Sequence, residues 1–237
     1  MNSISSKRIA GEKAADMITD GMIVGLGTGS TVAYAIEKLG EKIRTGFTIT
    51  GIPTSIQTAI RATSNGIPLS TLDNVEYIDI TIDGADQIDP TCNMIKGRGA
   101  AHVREKIVAQ VSGLLLIVAD ESKLVKSLSG PIPIEVLGFG LYPVIRMLQK
   151  LGGTVEIREG TKKDGPVISD NGNIIIDYYP DTAFHPENLE KTITMLPGVV
   201  GCGIFSMFKE KTSIIVAGDE GCRILTFQSG DEFPGKI

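Results

Sequence analysis

The 237-residue chain has no tryptophan, two histidines and three cysteines. The histidines, His102 and His185, lie far apart, and no Cys-x-x-Cys pair occurs. Zinc sites draw on Cys and His at short spacings, so a metal centre is not expected. Cys92, Cys202 and Cys222 form an odd, scattered set. That fits a reducing compartment better than a disulfide framework. No apolar run approaches the roughly 20 residues that span a bilayer. Residues 1–20 mix charges and lack the apolar stretch of a secretory leader. Basic charge is also short: 23 Lys and Arg stand against 28 Asp and Glu, a net charge of −5. Nucleic-acid binders carry the opposite balance. The expectation is a cytoplasmic protein that binds neither nucleic acid nor membrane.

Glycine, by contrast, is abundant at 28 residues, and glycine permits tight ligand-facing turns. The periodicity predicts a helix over 3–19 and a buried strand over 22–26, with a helix to about Leu39 after the next turn. A second strand is expected at 47–50 and a helix at 54–63. A strand at 77–82 runs into Asp83-Gly84-Ala85-Asp86. A helix at 100–111 and the apolar strand 114–119 follow. Strand and helix alternate, which argues for an open, mostly parallel, doubly wound α/β sheet with helices on both faces. Ligands in such sheets sit at the carboxyl ends of the strands, here the loops 27–31, 53–58, 83–86 and 120–123.

The pattern then changes. A helix at 141–151, short strands at 154–158 and 167–169, a hairpin turn at Asp170-Asn171-Gly172-Asn173 and a strand at 174–177 follow. A helix at 186–195 and a strand at 199–204 complete a β-α-β-β-α-β order, a small ferredoxin-like α+β layer. The strand 213–217 returns to the main sheet, and 227–237 reads as a poorly ordered tail. The expected domains are 1–132 plus 208–237, carrying the site, and 133–207, a small domain suited to oligomerisation.

Four loops carry residue types suited to chemistry. Gly27-Thr28-Gly29-Ser30-Thr31 links a strand to a helix, whose N-terminal N–H groups favour anions. It lacks the third glycine of a dinucleotide fingerprint, and no Walker lysine follows, so a phosphate or sugar site fits better than NAD or ATP. Asp83 and Asp86 offer two carboxylates for sugar hydroxyls or proton transfer, or else simply cap a turn. Lys96-Gly97-Arg98-Gly99 lets backbone approach a ligand beside a cation. Glu105 then falls about a turn and a half into the next helix, where a solvated face is the bland alternative. Lys123 ends the segment Ala119-Asp120-Glu121-Ser122-Lys123, directly after the most apolar strand. Asp120 there can equally be a helix cap.

These segments, in this order, resemble ribose-5-phosphate isomerases of the A type. Arg104-Glu105-Lys106-Ile107-Val108, Pro133-Ile134-Glu135-Val136, Asp170–Asn173 and Pro197-Gly198-Val199-Val200 extend the match, which runs from about residue 5 to 225. The resemblance implies an aldose–ketose isomerase that interconverts ribose 5-phosphate and ribulose 5-phosphate through an enediolate. It implies Glu105 as general base, Asp83 and Asp86 in ring opening and hydroxyl proton transfer, and Lys96 in charge stabilisation at the reacting oxygens or in contact with the phosphate. It also implies substrate binding by Gly27–Thr31, Asp83, Gly84, Asp86, Lys96, Gly97, Arg98, Gly99 and Lys123, with neither a metal nor an organic cofactor. A homodimer or homotetramer is expected. Arg98 departs from the family's run of three glycines, and Gln87 stands where an acidic residue is common. A sugar-phosphate sensor on a related fold would carry an N-terminal helix-turn-helix, for which the first strand near Met22 leaves no room. A CoA-transferase or cyclo-ligase would need a different Glu motif or an ATP site.

Overall fold

A computed structural model describes residues 3–219 and 221–226. In chain order the first elements are α1 (Ser3–Asp16), β1 (Ile23–Leu26), α2 (Ser30–Arg44), β2 (Thr50–Pro53) and α3 (Ile56–Ser64). Next come β3 (Ile78–Gly84), β4 (Gln87–Ile88), β5 (Met94–Ile95), α4 (His102–Gln110) and β6 (Ser112–Asp120). Then follow β7 (Ile132–Val136), α5 (Leu141–Lys150), β8 (Gly153–Ile157), β9 (Ile174–Pro180) and α6 (Pro186–Thr194). The last are β10 (Val199–Cys202), β11 (Ile204–Phe205), β12 (Thr212–Gly218) and β13 (Gly221–Thr226).

The chain divides into two compact units. One is Met1–Ala85, Arg104–Leu124 and Phe208–Ile237; the other is Asp86–Val103 and Val125–Met207. The main unit holds a six-stranded sheet in the order β13-β12-β6-β3-β1-β2. Only β13 runs antiparallel to its neighbour. Leu114–Ala119 of β6 and Ile214–Ala217 of β12 are continuous apolar runs, as strands covered on both faces tend to be, while β3 alternates Ile78, Ile80 and Ile82 with Asp79, Thr81 and Asp83. Val24, Leu26, Ile80, Ile82, Leu116 and Val118 share a core with Ala10 and Ala14 of α1 and Val32, Ile36 and Leu39 of α2. Gly25 and Thr81 alternate with those residues and face the other way. There Val108 of α4 comes so close that a Cβ on Gly25 would lie 2.8 Å from its Cγ1.

The small unit is built on an antiparallel sheet in the order β10-β7-β9-β8. Its chain order, β7-α5-β8-β9-α6-β10, is the expected ferredoxin-like layer. Ile134, Val144, Leu148, Ile176, Tyr178 and Ile193 fill its core. A three-stranded sheet, β11-β5-β4, belongs to the same unit. Among the described residues no helix is long and apolar enough to cross a membrane.

Several details differ from the sequence reading. β2 is Thr50–Pro53 rather than 47–50, because Thr48 is tied instead to Asp20, whose carboxylate accepts from its N–H and hydroxyl. Val167-Ile168-Ser169 forms no strand, only an isolated bridge from Ile168 to Ile174. The strand expected at 199–204 breaks at Gly203 into β10 and β11, which pair with different sheets. Helix α4 begins at His102, which puts Glu105 in its first turn. The segment Asp86–Val103, read as part of the main domain, groups with the small unit. There β5 pairs with β11, and the Lys96 N–H donates to Gly203 O at 2.8 Å. The tail at 227–237 lies outside the described residues.

Candidate active site

In the main unit, β1 and β3 lie side by side and end together. Gly27 continues β1, its N–H donating to Ile82 O at 2.8 Å. The Asp83 side chain then folds over Gly27. Oδ1 accepts from Gly84 N at 2.8 Å and Thr28 N at 3.3 Å. A Cβ on Gly27 would fall inside the Asp83 carboxyl group and 2.7 Å from Asp83 Cα. The first and second sequence motifs are therefore one packed arrangement.

The Thr28 hydroxyl donates to Ser55 Oγ at 2.7 Å and lies 3.0 Å from Thr54 Oγ1. Thr58 Oγ1 donates to Gly27 O at 2.8 Å. The loop after β2 thus braces the loop after β1 through hydroxyls that sequence reasoning located only as the segment 53–58. Gly29, at φ 145°, caps α2, which opens at Ser30. Gly29 and Ser30 are exposed and Thr31 is buried. The first N–H groups of a 15-residue helix point out of this end, a favourable setting for an anion.

Glu105 is buried in the first turn of α4, where the positive end of the helix dipole favours an acidic group. The far end of that helix is fixed to the sheet. Ser112 Oγ donates to Val108 O at 2.6 Å and pairs with Thr81 Oγ1. Lys211 Nζ donates to Gln110 O and Ser112 O at 3.0 and 2.9 Å, and burial pushes the Lys211 ammonium pKa down. Lys123 is half-buried in the short 3₁₀ turn after β6, the strand beside β3. Asp120 caps that turn, accepting from Ser122 N at 3.1 Å and from the Ser122 hydroxyl. The capping alternative for Asp120 is the one the structure adopts.

In the small unit, the Asp86 N–H donates to Ile95 O at 2.8 Å. Its carboxylate Oδ2 accepts from Arg98 N at 3.0 Å, and the Arg98 Nε lies 3.9 Å from Oδ1. Lys96 is buried, with Nζ 5.3 Å from the centroid of the Phe205 ring, a cation–π arrangement. Gly97 takes φ 107°, and a Cβ there would lie 2.7 Å from His102 Nδ1. Only glycine fits. Arg98 is not among the left-handed residues of this loop, so the position accepts a side chain, which extends into solvent. Gln87, the other departure, is a structural tie, with Oε1 accepting from Ser129 N at 2.8 Å.

Sequence reasoning missed one cation here. Arg158, just beyond β8, donates from Nη1 to Gly97 O at 2.9 Å and Arg98 O at 3.1 Å. Its partner loop is about sixty residues away in sequence, so no local pattern signals it. Two further motifs prove structural. Buried Glu135 accepts from Asn171 and Asn173 Nδ2 at 3.0 and 2.7 Å, so the Pro133–Val136 strand and the hairpin turn are halves of one clasp.

An open, mostly parallel sheet with buried Asp83 at a strand end and buried Glu105 in the first turn of a helix is the architecture of an α/β enzyme. The family model for ribose 5-phosphate isomerase A (phosphoriboisomerase A) matches residues 50–221. The ribose-5-phosphate isomerase A of Methanoregula boonei is 49% identical over 222 residues, 94% of each chain. That of Thermosynechococcus vestitus is 51% identical over 203 residues, 84% of this chain and 86% of the relative. The solved ribose 5-phosphate isomerase A of Methanocaldococcus jannaschii superposes with a TM-score of 0.89 at 42% identity, covering 94% of this chain and 98% of that one. A D-ribose-5-phosphate isomerase in complex with phospho-erythronic acid gives 0.91 at 43%, covering 95% and 100%. The chain belongs to the ribose 5-phosphate isomerase A family, aldose–ketose isomerases that interconvert ribose 5-phosphate and ribulose 5-phosphate.

Proposed function

We propose that Glu105 is the general base of this isomerisation, and that Asp83, Asp86, Lys96 and Lys123 serve it. The carrying observation is burial. Asp83, Lys96 and Glu105 are 1%, 2% and 4% exposed. Ionisable side chains are costly to bury, and a fold that keeps them inside at its motif positions retains them for chemistry. Buried Glu135 is different, because its asparagine clasp gives it a structural task.

The Glu105 carboxylate takes the proton from C2 of the open-chain aldose, leaving an enediolate across C1 and C2. The same proton returns to C1, while a hydroxyl proton passes from O2 to O1. Asp83 and Asp86 handle the hydroxyl protons and the ring opening. A positioned base contributes about 10²–10⁴-fold. Lys96 meets the charge that develops on oxygen, where one preorganised donor is worth about 10²–10³-fold. Gly27–Thr31, Gly84, Gly97, Arg98, Gly99 and Lys123 complete substrate binding, with the start of α2 and Lys123 suited to the phosphate. No step calls on a metal or an organic cofactor.

The protein acts in this reading as a homodimer or homotetramer in the cytoplasm. Support for assembly comes from Leu137, Phe139 and Tyr142, which stand exposed together at the start of α5. Exposed apolar groups of this size mark contact surfaces. Cys92 and Cys202 are buried and form no disulfide, which fits a reducing compartment.

The test is ribulose 5-phosphate formation from ribose 5-phosphate in EDTA, for the wild type and Glu105→Gln. Turnover by the wild type, reduced at least about 10²-fold in the variant, is the expected result. An unimpaired Glu105→Gln enzyme would remove Glu105 from its role.

A further inference from the structure

We infer that Arg158, held by Asp177, is a positioning residue for the isomerisation. It fixes the Gly97–Arg98 peptide, and through that peptide the loop carrying Lys96 and the carboxylate of Asp86. The inference rests on the assignment of Lys96 and Asp86 proposed above.

The guanidinium group is a rigid planar fork, so fixing one edge fixes the direction of the other donors. Arg158 Nε donates to Asp177 Oδ2 at 2.7 Å and Nη2 donates to Asp177 Oδ1. This two-point grip leaves Nη1, whose two hydrogens go to Gly97 O and Arg98 O. Both anchoring residues are locked in place. The Arg158 N–H donates to Ile175 O at 3.0 Å, and Arg158 O accepts from Val167 N at 2.7 Å. Asp177 lies within β9, between β7 and β8. Both side chains are largely shielded from water, where charge-assisted bonds are strong.

The far side of the same peptide makes the connection to Asp86. A peptide unit is planar, with C=O and N–H pointing in opposite directions. The carbonyl of Gly97 meets Arg158, and the N–H of Arg98 meets Asp86 Oδ2 at 3.0 Å. One rigid plate therefore carries the cation at one edge and the carboxylate at the other. Gly97 O also accepts from Ala100 N at 3.0 Å, closing a turn in which Ala100 takes φ 59°. A left-handed alanine persists only when its surroundings hold it. An arginine serving only the β8–β9 ladder would be satisfied by Asp177. Instead its Nη1 hydrogens reach back 61 and 60 residues in sequence, to the loop directly after Lys96.

Lysine at 158 keeps the charge but has neither the fork nor the reach to hold both carbonyls and Asp177. The experiment is steady-state kinetics and thermal melting of the full chain, for Arg158→Lys, Lys96→Ala and the double variant. Arg158→Lys is expected to lower kcat at least about tenfold, since small misplacement of a reacting group is costly. KM for ribose 5-phosphate should change less than about threefold, because the loss falls on the transition state. In the Lys96→Ala background the same change should cost at least about threefold less than in the wild-type background, because one of the two groups the peptide positions is gone. Asp177→Asn should resemble Arg158→Lys, and it decides the matter if the lysine variant does not fold. Wild-type kcat in folded Arg158→Lys, or an equal loss in both backgrounds, overturns the inference. If Lys96→Ala and Glu105→Gln themselves retain full turnover, the site assignment fails instead, a result distinguishable from the first.

Discussion

Replacing Gly27 by alanine tests the packing on which the Asp83 carboxylate depends. The added methyl would overlap the Asp83 carboxyl group and lie 2.7 Å from Asp83 Cα. A side chain can rotate away from such a contact, but a Cα cannot. Either β1 and β3 separate at their ends or the carboxylate leaves its place. Overpacking of this kind costs about 1–3 kcal/mol. Leaving also forfeits the bonds from Gly84 N and Thr28 N, each of which, made to a charged group, is worth up to about 1.5–3 kcal/mol. The 3.3 Å bond is weak, so the total expected is about 2–4 kcal/mol. For a chain of this length each kcal/mol moves Tm by about 2–4 °C, which gives a fall of about 5–15 °C. The control for stability is Gly84→Ala, one residue from Asp83. Its Cβ would meet nothing closer than Val118 O at 3.9 Å, and its φ is ordinary, so its Tm should stay within about 2 °C of the wild type. Differential scanning calorimetry at neutral pH measures both. Isomerase turnover of Gly27→Ala should fall at least about tenfold as Asp83 shifts. If Gly27→Ala melts with the wild type and turns over at its rate, Asp83 is not held by this contact.

The clasp on Glu135 gives a second expectation. Glu135→Ala should destabilise by about 2–4 kcal/mol in urea melts, while Glu135→Gln, which keeps an acceptor oxygen for Asn171 and Asn173, should cost less than half as much. Burial raises the pKa of the Tyr178 phenol, whose O–H donates to Gly152 O at 2.6 Å. The folded state therefore favours the neutral phenol. Its contribution is complete below about pH 10, the ordinary tyrosine value, and is lost as pH rises beyond it. Urea melts at pH 8 and 11 should show a smaller alkaline loss for Tyr178→Phe than for the wild type; equal losses would contradict this. A four-carbon sugar-acid phosphate with a planar carboxylate where the proposed enediolate forms should compete with ribose 5-phosphate. Calorimetric titration should show Lys96→Ala weakening it at least about tenfold, more than that variant raises KM.

Much of this architecture was legible because the physical signals are local. Leu114–Ala119 is apolar on both faces, which only a covered parallel strand tolerates. Asp170–Asn173 announces a tight turn by composition alone. What escaped was set by distant partners. The two-residue strands β4, β5 and β11 are too short to show a period, and exist because Met94-Ile95 finds Ile204-Phe205. β13 pairs with β12 along its whole length, yet only alternate residues are partly covered, a pattern too faint to mark a strand from sequence. The motif residues of the site stood out by type and order, whereas the hydroxyls of Thr54, Ser55 and Thr58 and the guanidinium of Arg158 became visible only as contacts.

The chain passes between its two units at residues 85/86, 103/104, 124/125 and 207/208, and β12 enters the main sheet last of its parallel strands, beside β6. During synthesis, therefore, the most apolar edge of the sheet waits open while the whole ferredoxin-like layer is made. An open apolar edge is a template for aggregation. A chain ending before Thr212 would leave β6 unpaired on that side, and should be recovered as aggregate rather than as a shorter enzyme.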